Sequence, residues 1–333
     1  LYPAERLGRS IGLRNLYLKD DTINPSASSK DRASAFAVLR ALDSGAETVA
    51  VASTGNAGSS LACVAAAAGI QAVVFVPESA PVAKLTQALS FGAKVLAVRG
   101  SYDDAFELCL SASSEFGWFN RSTGINPFTR EGKKICAWEI WASLDGRVPD
   151  RVVVPTGDGN LLSAMWKGWR ELKAVGLIDR LPKVDCAQSS GSAAISRTVH
   201  RIRNSESTNL RWSEVDVETV NASTVADSIS VDRPRDGLAA VRAIIESGGE
   251  AIAVADEDIL AAIPEMASLS GVFPEPAAAA PWAAVKQMVS EGTIAADELV
   301  VCLVSGNGLK DVATAQSAVG QPQLIDLSLE AVK

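Results

Sequence analysis

The residues best suited to chemistry begin with NPSASSKDR, residues 24–32. An Asn-Pro turn leads into serines of the kind that cap helices, so a helix is expected to start at about Ser28 or Ser29. Asp31 suits the positive end of that helix, whereas Lys30 and Arg32 oppose it. A cation held there costs stability, which points to another use. A lysine partly desolvated at such a position has a lowered pKa and becomes a nucleophile toward a carbonyl. VASTGNAGSS (51–60) follows, where a turn into a helix could offer backbone N–H groups and the Asn56 side chain to an oxygen or anion. VPTGDGNLLSAMWKG (154–168) places small residues before a helix, as a phosphate loop requires. Neither loop is a dinucleotide fingerprint: Gly55 and Gly58 miss the GxGxxG spacing, and Leu162 stands where the third glycine belongs. A fourth small-residue turn is SGNGLKD (305–311). Taken alone, each of these loops also suits an ordinary strand-to-helix turn.

These loops need strands to carry them. β-branched apolar runs predict buried strands at 48–53, 71–77, 94–98, 151–155, 251–255 and 299–305. Apolar periodicity predicts helices over 57–68, 82–90, 102–115, 131–144, 161–174, 256–269 and 277–290. Alternation of this kind implies parallel sheets with right-handed crossovers, an α/β class that binds ligands at the carboxyl edges of its strands. Residues 203–235 are polar and aperiodic and read as an excursion around the active site or a subunit interface. The opening LYPAERLG starts within a folded pattern, so residues are expected before Leu1. No further domain is expected after SGNGLKD.

Composition narrows the function. The 333 residues are 47% hydrophobic and 21% charged, with net charge −8. This is a globular chain, and its charge argues against nucleic acid or an anionic membrane as the main partner. No apolar run is long enough to span a bilayer, and no signal peptide is expected. The five cysteines (Cys63, Cys109, Cys136, Cys186, Cys302) form no CxxC pair, which favours a reducing, cytoplasmic compartment and no metal site. The single histidine, His200, lies in ISRTVHRIRN and reads as a surface residue of a basic amphipathic helix. Any Ser-His-Asp or Cys-His mechanism would have to use it, so lysine is the better candidate base.

In their order, NPSASSKDR, ASTGNAGSS, INPFTREGKK, VPTGDGNLLSAMWKGW, GVFPEPAAAA and SGNGLKD resemble the threonine synthase family over nearly the whole chain. This family belongs to the fold-type-II pyridoxal-phosphate enzymes with the tryptophan synthase β-like fold. The resemblance implies two α/β domains, each with a mainly parallel twisted sheet flanked by helices. The small domain, 43–145, is inserted into a large one made of 1–42 plus 146–333. Lys30 matches the lysine that carries pyridoxal phosphate and later moves protons. Asn56 matches the residue at the ring oxygen, and Ser305 the hydroxyl facing the ring nitrogen. Gly157, Asp158, Gly159, Asn160 and Leu161 match the cradle for the cofactor phosphate. Ser53, Thr54 and Gly55 resemble the loop that holds the substrate carboxylate. Asn126, Arg130, Lys133 and Lys134 are the implied contacts to a substrate phosphate, although REGKK also suits the charged first turn of a helix. The implied protein is a cytoplasmic homodimer that converts O-phospho-L-homoserine and water to L-threonine and phosphate.

Three departures bear on the substrate. Ser29 stands in place of an aromatic residue beside the lysine, Ala33 in place of a glycine, and Gly306-Asn307-Gly308 in place of Gly-His-Gly. They keep open a second activity, β-elimination or β-replacement on serine, threonine or phosphoserine, of the deaminase or cysteate synthase kind. A reading from another class is a non-catalytic ligand sensor on the same fold.

Overall fold

The computed structural model describes residues 1–205 and 210–332. The chain opens with β1 (Tyr2–Pro3), α1 (Glu5–Arg9), β2 (Asn15–Asp20) and α2 (Lys30–Asp43). It continues through β3 (Thr48–Ala52), α3 (Asn56–Ala68), β4 (Gln71–Pro77), α4 (Val82–Ser90), β5 (Lys94–Val98), α5 (Tyr102–Phe116) and β6 (Phe119–Asn120). Then come α6 (Phe128–Ser143), β7 (Arg151–Pro155), α7 (Asn160–Ala174), β8 (Lys183–Ser189), α8 (Ala194–Arg203), α9 (Gly237–Ser247) and β9 (Ala251–Val254). The last elements are α10 (Asp256–Ser270), α11 (Pro276–Ser290), β10 (Leu299–Val304) and α12 (Val312–Ser317).

Two sheets result. One is six-stranded in the order β1-β2-β10-β7-β8-β9, and the other four-stranded in the order β5-β4-β3-β6. All pairings are parallel except β1 with β2. Alternation along each strand divides the core. Val153 and Val300 face one apolar cluster of the large sheet, while Val152, Val154 and Val301 face the other. In the small sheet Val49 and Val51 face one side, and Ala50 and Ala52 the other. The fold is therefore the α/β class expected, with both faces of each sheet covered.

Two long strands escaped the sequence pattern. β2 carries too mixed a set of residues, and β8 has an aspartate in its middle. Asp185 is fully buried. It accepts Arg151 Nη1 at 3.0 and 3.3 Å and the Glu250 N–H at 2.7 Å, so a charged residue is tolerated inside the sheet. α6 begins at Phe128, earlier than periodicity suggested, because Asn126 Oδ1 accepts the Phe128 N–H at 2.9 Å and Pro127 already has helical φ. His200 is exposed on α8, with Nε2 3.1 Å from the Ala251 carbonyl.

The charged residues that follow Lys30 hold its helix in place. Asp31 accepts the Ser26 N–H at 2.7 Å and the Ser26 hydroxyl at 2.5 Å, which folds the serine loop over the helix start. Arg32 donates to Asp21 at 2.7 and 2.8 Å and to Glu139 at 2.8 and 2.6 Å, tying α2 to the end of β2 and to α6. Both pairings have the two-pronged geometry in which guanidinium is strongest. α2 and α6 also meet backbone to backbone at Gly132, where a Cβ would lie 1.9 Å from the Arg32 carbonyl oxygen. Gly132→Ala is therefore expected to lower stability by about 1–3 kcal/mol or more, read as a lower thermal midpoint. An unchanged midpoint would mean that the helices separate there at no cost.

Candidate active site

The loops singled out in the sequence converge at the carboxyl ends of β2, β3, β7 and β10. A bridge joins Ser28 to Gly306, and the Ser29 N–H donates to the Ser305 carbonyl at 2.7 Å, so the first and last loops are one unit. Lys30 opens α2 immediately after Ser29. It lines one cavity with Lys133, Gly157, Gly159, Ser228 and Ser305. Burial pushes its ammonium below the ordinary lysine range; Asp158 and Glu275 oppose this, and Arg121 adds to it. A lysine of lowered basicity is the nucleophile the sequence called for.

The loop after β7 is built for close approach. Gly159 has φ +90°, and a Cβ there would lie 2.8 Å from both Ala240 Cβ and the Asp236 carbonyl. At Gly157 a Cβ would lie 2.9 Å from Ile229 Cα. Asp158 Oδ1 accepts the Asn160 N–H at 3.0 Å, and Asn160 opens α7 with Leu161 buried behind it. Among the described residues the Gly157 N–H has no hydrogen-bond partner, and Gly157 lines the cavity just ahead of the N-terminus of α7. Ser228, Ile229 and Val231, which line the same cavity, come from the stretch read as an excursion around the active site. Of that stretch, residues 206–209 lie outside the described residues.

Lys133 is buried beside this loop and donates to Asn160 Oδ1 at 2.5 Å. Burial first, then Lys30 and Arg121, pull its pKa down to about 7, against Asp158 and Asp236. The folded protein therefore holds fewer protons than the unfolded chain between about pH 7 and the ordinary lysine value. Below about 7 it carries the full cost of a buried cation, and stability on this account rises as pH rises through that window. Lys133→Met is thus expected to raise the thermal midpoint of the cofactor-free protein at pH 6–7, with the gain shrinking toward pH 10. A gain that grows with pH would contradict the assigned shift.

The loop after β3 holds Ser53, Thr54 and Gly55 partly exposed at the start of α3, with the Gly55 N–H 3.3 Å from Ser53 Oγ. Asn56 is buried, and its amide donates to both oxygens of Glu275 at 3.0 Å and to Ser228 Oγ at 3.3 Å. Glu275 was within a quoted motif but had no role in the sequence reading. Burial pushes its carboxyl up, opposed by Asn56 and Lys30. Lys310, also unassigned, donates to Ser59 Oγ at 2.9 Å and to Gln87 Oε1.

Not all expected contacts meet at this site. Lys134 points to Glu131 and Glu171 at 2.7 and 2.8 Å and sits over the Trp138 ring. Arg130 pairs with Asp236 and lines a separate surface cleft with Trp166 and Arg170. Both cations have carboxylate partners, so the structure does not bring them to the wall shared by Lys30 and Lys133. Asn126 spends its amide on its own loop, donating to the Asn120 carbonyl at 2.8 Å and accepting from Phe128. Sequence reasoning missed Arg121, which is fully buried in that loop. The one available signal was an arginine among small polar residues, NRSTG, with no acidic neighbour in sequence. The cysteines are all unpaired, and burial pushes the Cys136 and Cys186 thiols up to about 12, so they are poor nucleophiles.

Lys30, half-buried and of lowered basicity, shares its cavity with the glycine loop ahead of α7, an arrangement that suits an α/β enzyme with a cofactor carrying both a carbonyl and a phosphate. The chain belongs to the pyridoxal-phosphate-dependent enzyme family, whose pattern matches residues 1–306. Among curated proteins it is 40% identical to threonine synthase of Methanosarcina acetivorans over 334 aligned positions, covering 100% of this chain and 80% of that protein. It is 36% identical to threonine synthase of Mycobacterium tuberculosis, covering 95% and 82%. Among solved structures, the processed threonine deaminase isoform 2 of Solanum lycopersicum superposes with TM-score 0.81 at 20% identity, over 96% of this chain and 86% of that one. A fungal L-serine ammonia-lyase from Rhizomucor miehei gives TM-score 0.78 at 18% identity, over 96% of both chains. At these identities the two structures speak for the fold alone.

The residues present fit pyridoxal phosphate. Besides the lysine and the amide-lined loop, the Ser28 and Ser29 hydroxyls are buried beside Lys30 without a partner. Buried polar groups of this kind are normally satisfied, so a ligand with oxygen or nitrogen atoms suits the cleft.

Proposed function

We propose that this protein is a threonine synthase that converts O-phospho-L-homoserine and water to L-threonine and phosphate. The observation that carries the reading is similarity to threonine synthases along the whole chain. Pyridoxal phosphate, when bound, supplies an electron sink that stabilises negative charge on the substrate carbons. On this reading Lys30 holds the cofactor and moves protons at Cα, Cβ and Cγ of the substrate, which its lowered basicity favours. The amides of Gly157 to Leu161, with Lys133 beside them, hold the cofactor phosphate. Asn56, oriented by Glu275, serves the ring oxygen, and Ser305 faces the ring nitrogen. A hydroxyl there does not protonate the ring as a carboxylate would. Ser53, Thr54 and Gly55 take the substrate carboxylate. The same reading makes the enzyme a cytoplasmic homodimer, which light scattering of the purified protein and cell fractionation test.

A substrate panel of phosphohomoserine, phosphoserine, threonine and serine, with products identified, tests the activity. Threonine and phosphate released one to one from phosphohomoserine is the expected result. Turnover of threonine with none of either phosphorylated substrate would move the protein to the deaminases. Ser29, whose small hydroxyl replaces the family's aromatic residue beside Lys30, is the observation that favours this second reading.

A further inference from the structure

Lys310 spends its charge in an unusual way. It is half-buried, and among the described residues it makes no ion pair. Its ammonium donates instead to two neutral side chains, Ser59 Oγ at 2.9 Å and Gln87 Oε1. Burial pushes its pKa down, and Glu275 and Asp31 oppose this. A partly desolvated ammonium with neutral partners costs more than one that meets a carboxylate, so its place calls for a reason.

The two partners stand on different helices. Ser59 lies one turn into α3, and its hydroxyl donates to the Asn56 carbonyl at 3.4 Å. Gln87 lies on α4, and its amide donates onward to the Ser26 carbonyl at 3.3 Å, in the loop ahead of Lys30. Among the described residues Gln87 is the member of α4 that hydrogen-bonds to these loops. α3 and α4 alternate with strands of the four-stranded sheet, whereas Lys310 follows β10 of the six-stranded one. The base beneath Lys310 is fixed. The Asn307 N–H donates to the Ala27 carbonyl at 3.0 Å, the Gly308 N–H to the Phe273 carbonyl at 2.8 Å, and the Lys310 N–H to the Asn307 carbonyl at 3.0 Å. Lys310, Ser59 and Gln87 line a cavity of about 110 Å³ together with Asn56 and Glu275, and this cavity shares Ser228 with that of Lys30. A fixed loop of one sheet thus reaches helices of the other beside Asn56. An ammonium has three donors pointing apart, so one lysine can hold two helices at once.

Resting on the reading of the site given above, we propose that Lys310 is a positioning residue: by holding Ser59 and Gln87 it fixes α3 and α4 against the loops that carry Lys30, and so sets where Asn56 and residues 53–55 stand for the cofactor and an amino-acid substrate. Groups held in place before the substrate arrives bind it with less ordering cost.

Hydrogen exchange of the α4 amides in the cofactor-loaded protein is the direct test. Lys310→Met is expected to speed exchange there by about 10- to 100-fold, the worth of hydrogen bonds to a charged group. The thermal midpoint should change little, because a partly desolvated cation is removed at the same time. KM for phosphohomoserine should rise by about 10-fold or more with kcat changed much less, the split expected when binding groups are set less well in the ground and transition states alike. Lys310→Arg, which keeps the charge and the donors, should restore part of both. Gln87→Met, at a half-buried position, should reproduce the faster exchange in α4 and decides the matter if Lys310→Met does not fold. The double variant should lose little beyond either single one, as expected of two residues in one contact. Exchange in α4 unchanged in both variants, or losses that multiply in the double variant, overturns the assignment. So does a large fall in thermal midpoint with exchange faster throughout the protein. Faster exchange confined to α4, in a protein that does not turn over phosphohomoserine, supports the role of Lys310 and sinks the synthase reading. Phosphohomoserine turned over, with α4 exchange the same in wild type and variants, does the reverse.

Discussion

Lys30→Ala is expected to abolish turnover and the visible absorbance of the bound cofactor while the protein stays folded. Loss of at least about a thousandfold in kcat follows if one side chain both attaches the cofactor and moves the protons. The fold should survive because Lys30 makes no hydrogen bond or ion pair that holds α2 in place. Asp31 and Arg32 do that, through Ser26, Asp21 and Glu139. Alanine is also a better helix former than lysine at that position and removes a partly desolvated charge. Circular dichroism and thermal melting check the fold, and absorbance and product analysis check the chemistry. A folded variant that kept both the visible band and its activity would take Lys30 out of the site.

Gly159→Val is the second large effect expected. Its φ of +90° is one that a β-branched residue adopts only under strain, and the added carbon would meet Ala240 Cβ and the Asp236 carbonyl at 2.8 Å. The loop must shift, and the amides before α7 move with it. Each backbone donor to a charged phosphate is worth roughly 1.5–3 kcal/mol. Losing one or two raises the cofactor dissociation constant by about 10-fold at least, and by well over about 100-fold if both go. Equilibrium dialysis against pyridoxal phosphate measures this directly. Native affinity in a folded Gly159→Val protein would remove the 157–161 loop from phosphate binding.

Arg130 and Arg121 show where the sequence is readable and where it is not. REGKK is a visible cluster of charge, and the family resemblance implies that it meets a substrate phosphate. On α6, however, Glu131 is a near neighbour of Lys134, while Asp236 and Glu171 arrive from distant parts of the chain. Arg121 stands alone among small polar residues and gave no such signal. Its burial with no ion pair among the described residues is a property of the surroundings. β8 makes the same point: Asp185 spoils the apolar run, and only Arg151 and the Glu250 amide, brought in by neighbouring segments, explain how it lies inside a sheet.

The sequence by itself determined the parallel α/β class, most strands and helices, the turns at the strand ends, and Lys30 as the residue with an unusual use. These depend on local periodicity, on turn chemistry and on a cation placed at a helix start, all of which are written within a few residues. Tertiary structure alone decided which charges are already neutralised, that Glu275 orients Asn56, that Lys133 sits beside the 157–161 loop with its pKa pulled down to about 7, and that Arg121 has no carboxylate partner among the described residues. Those facts turn on desolvation and on partners far apart in the chain, such as Asn56 and Glu275, 219 positions distant, and free energies of that kind exist only once the chain has closed around them.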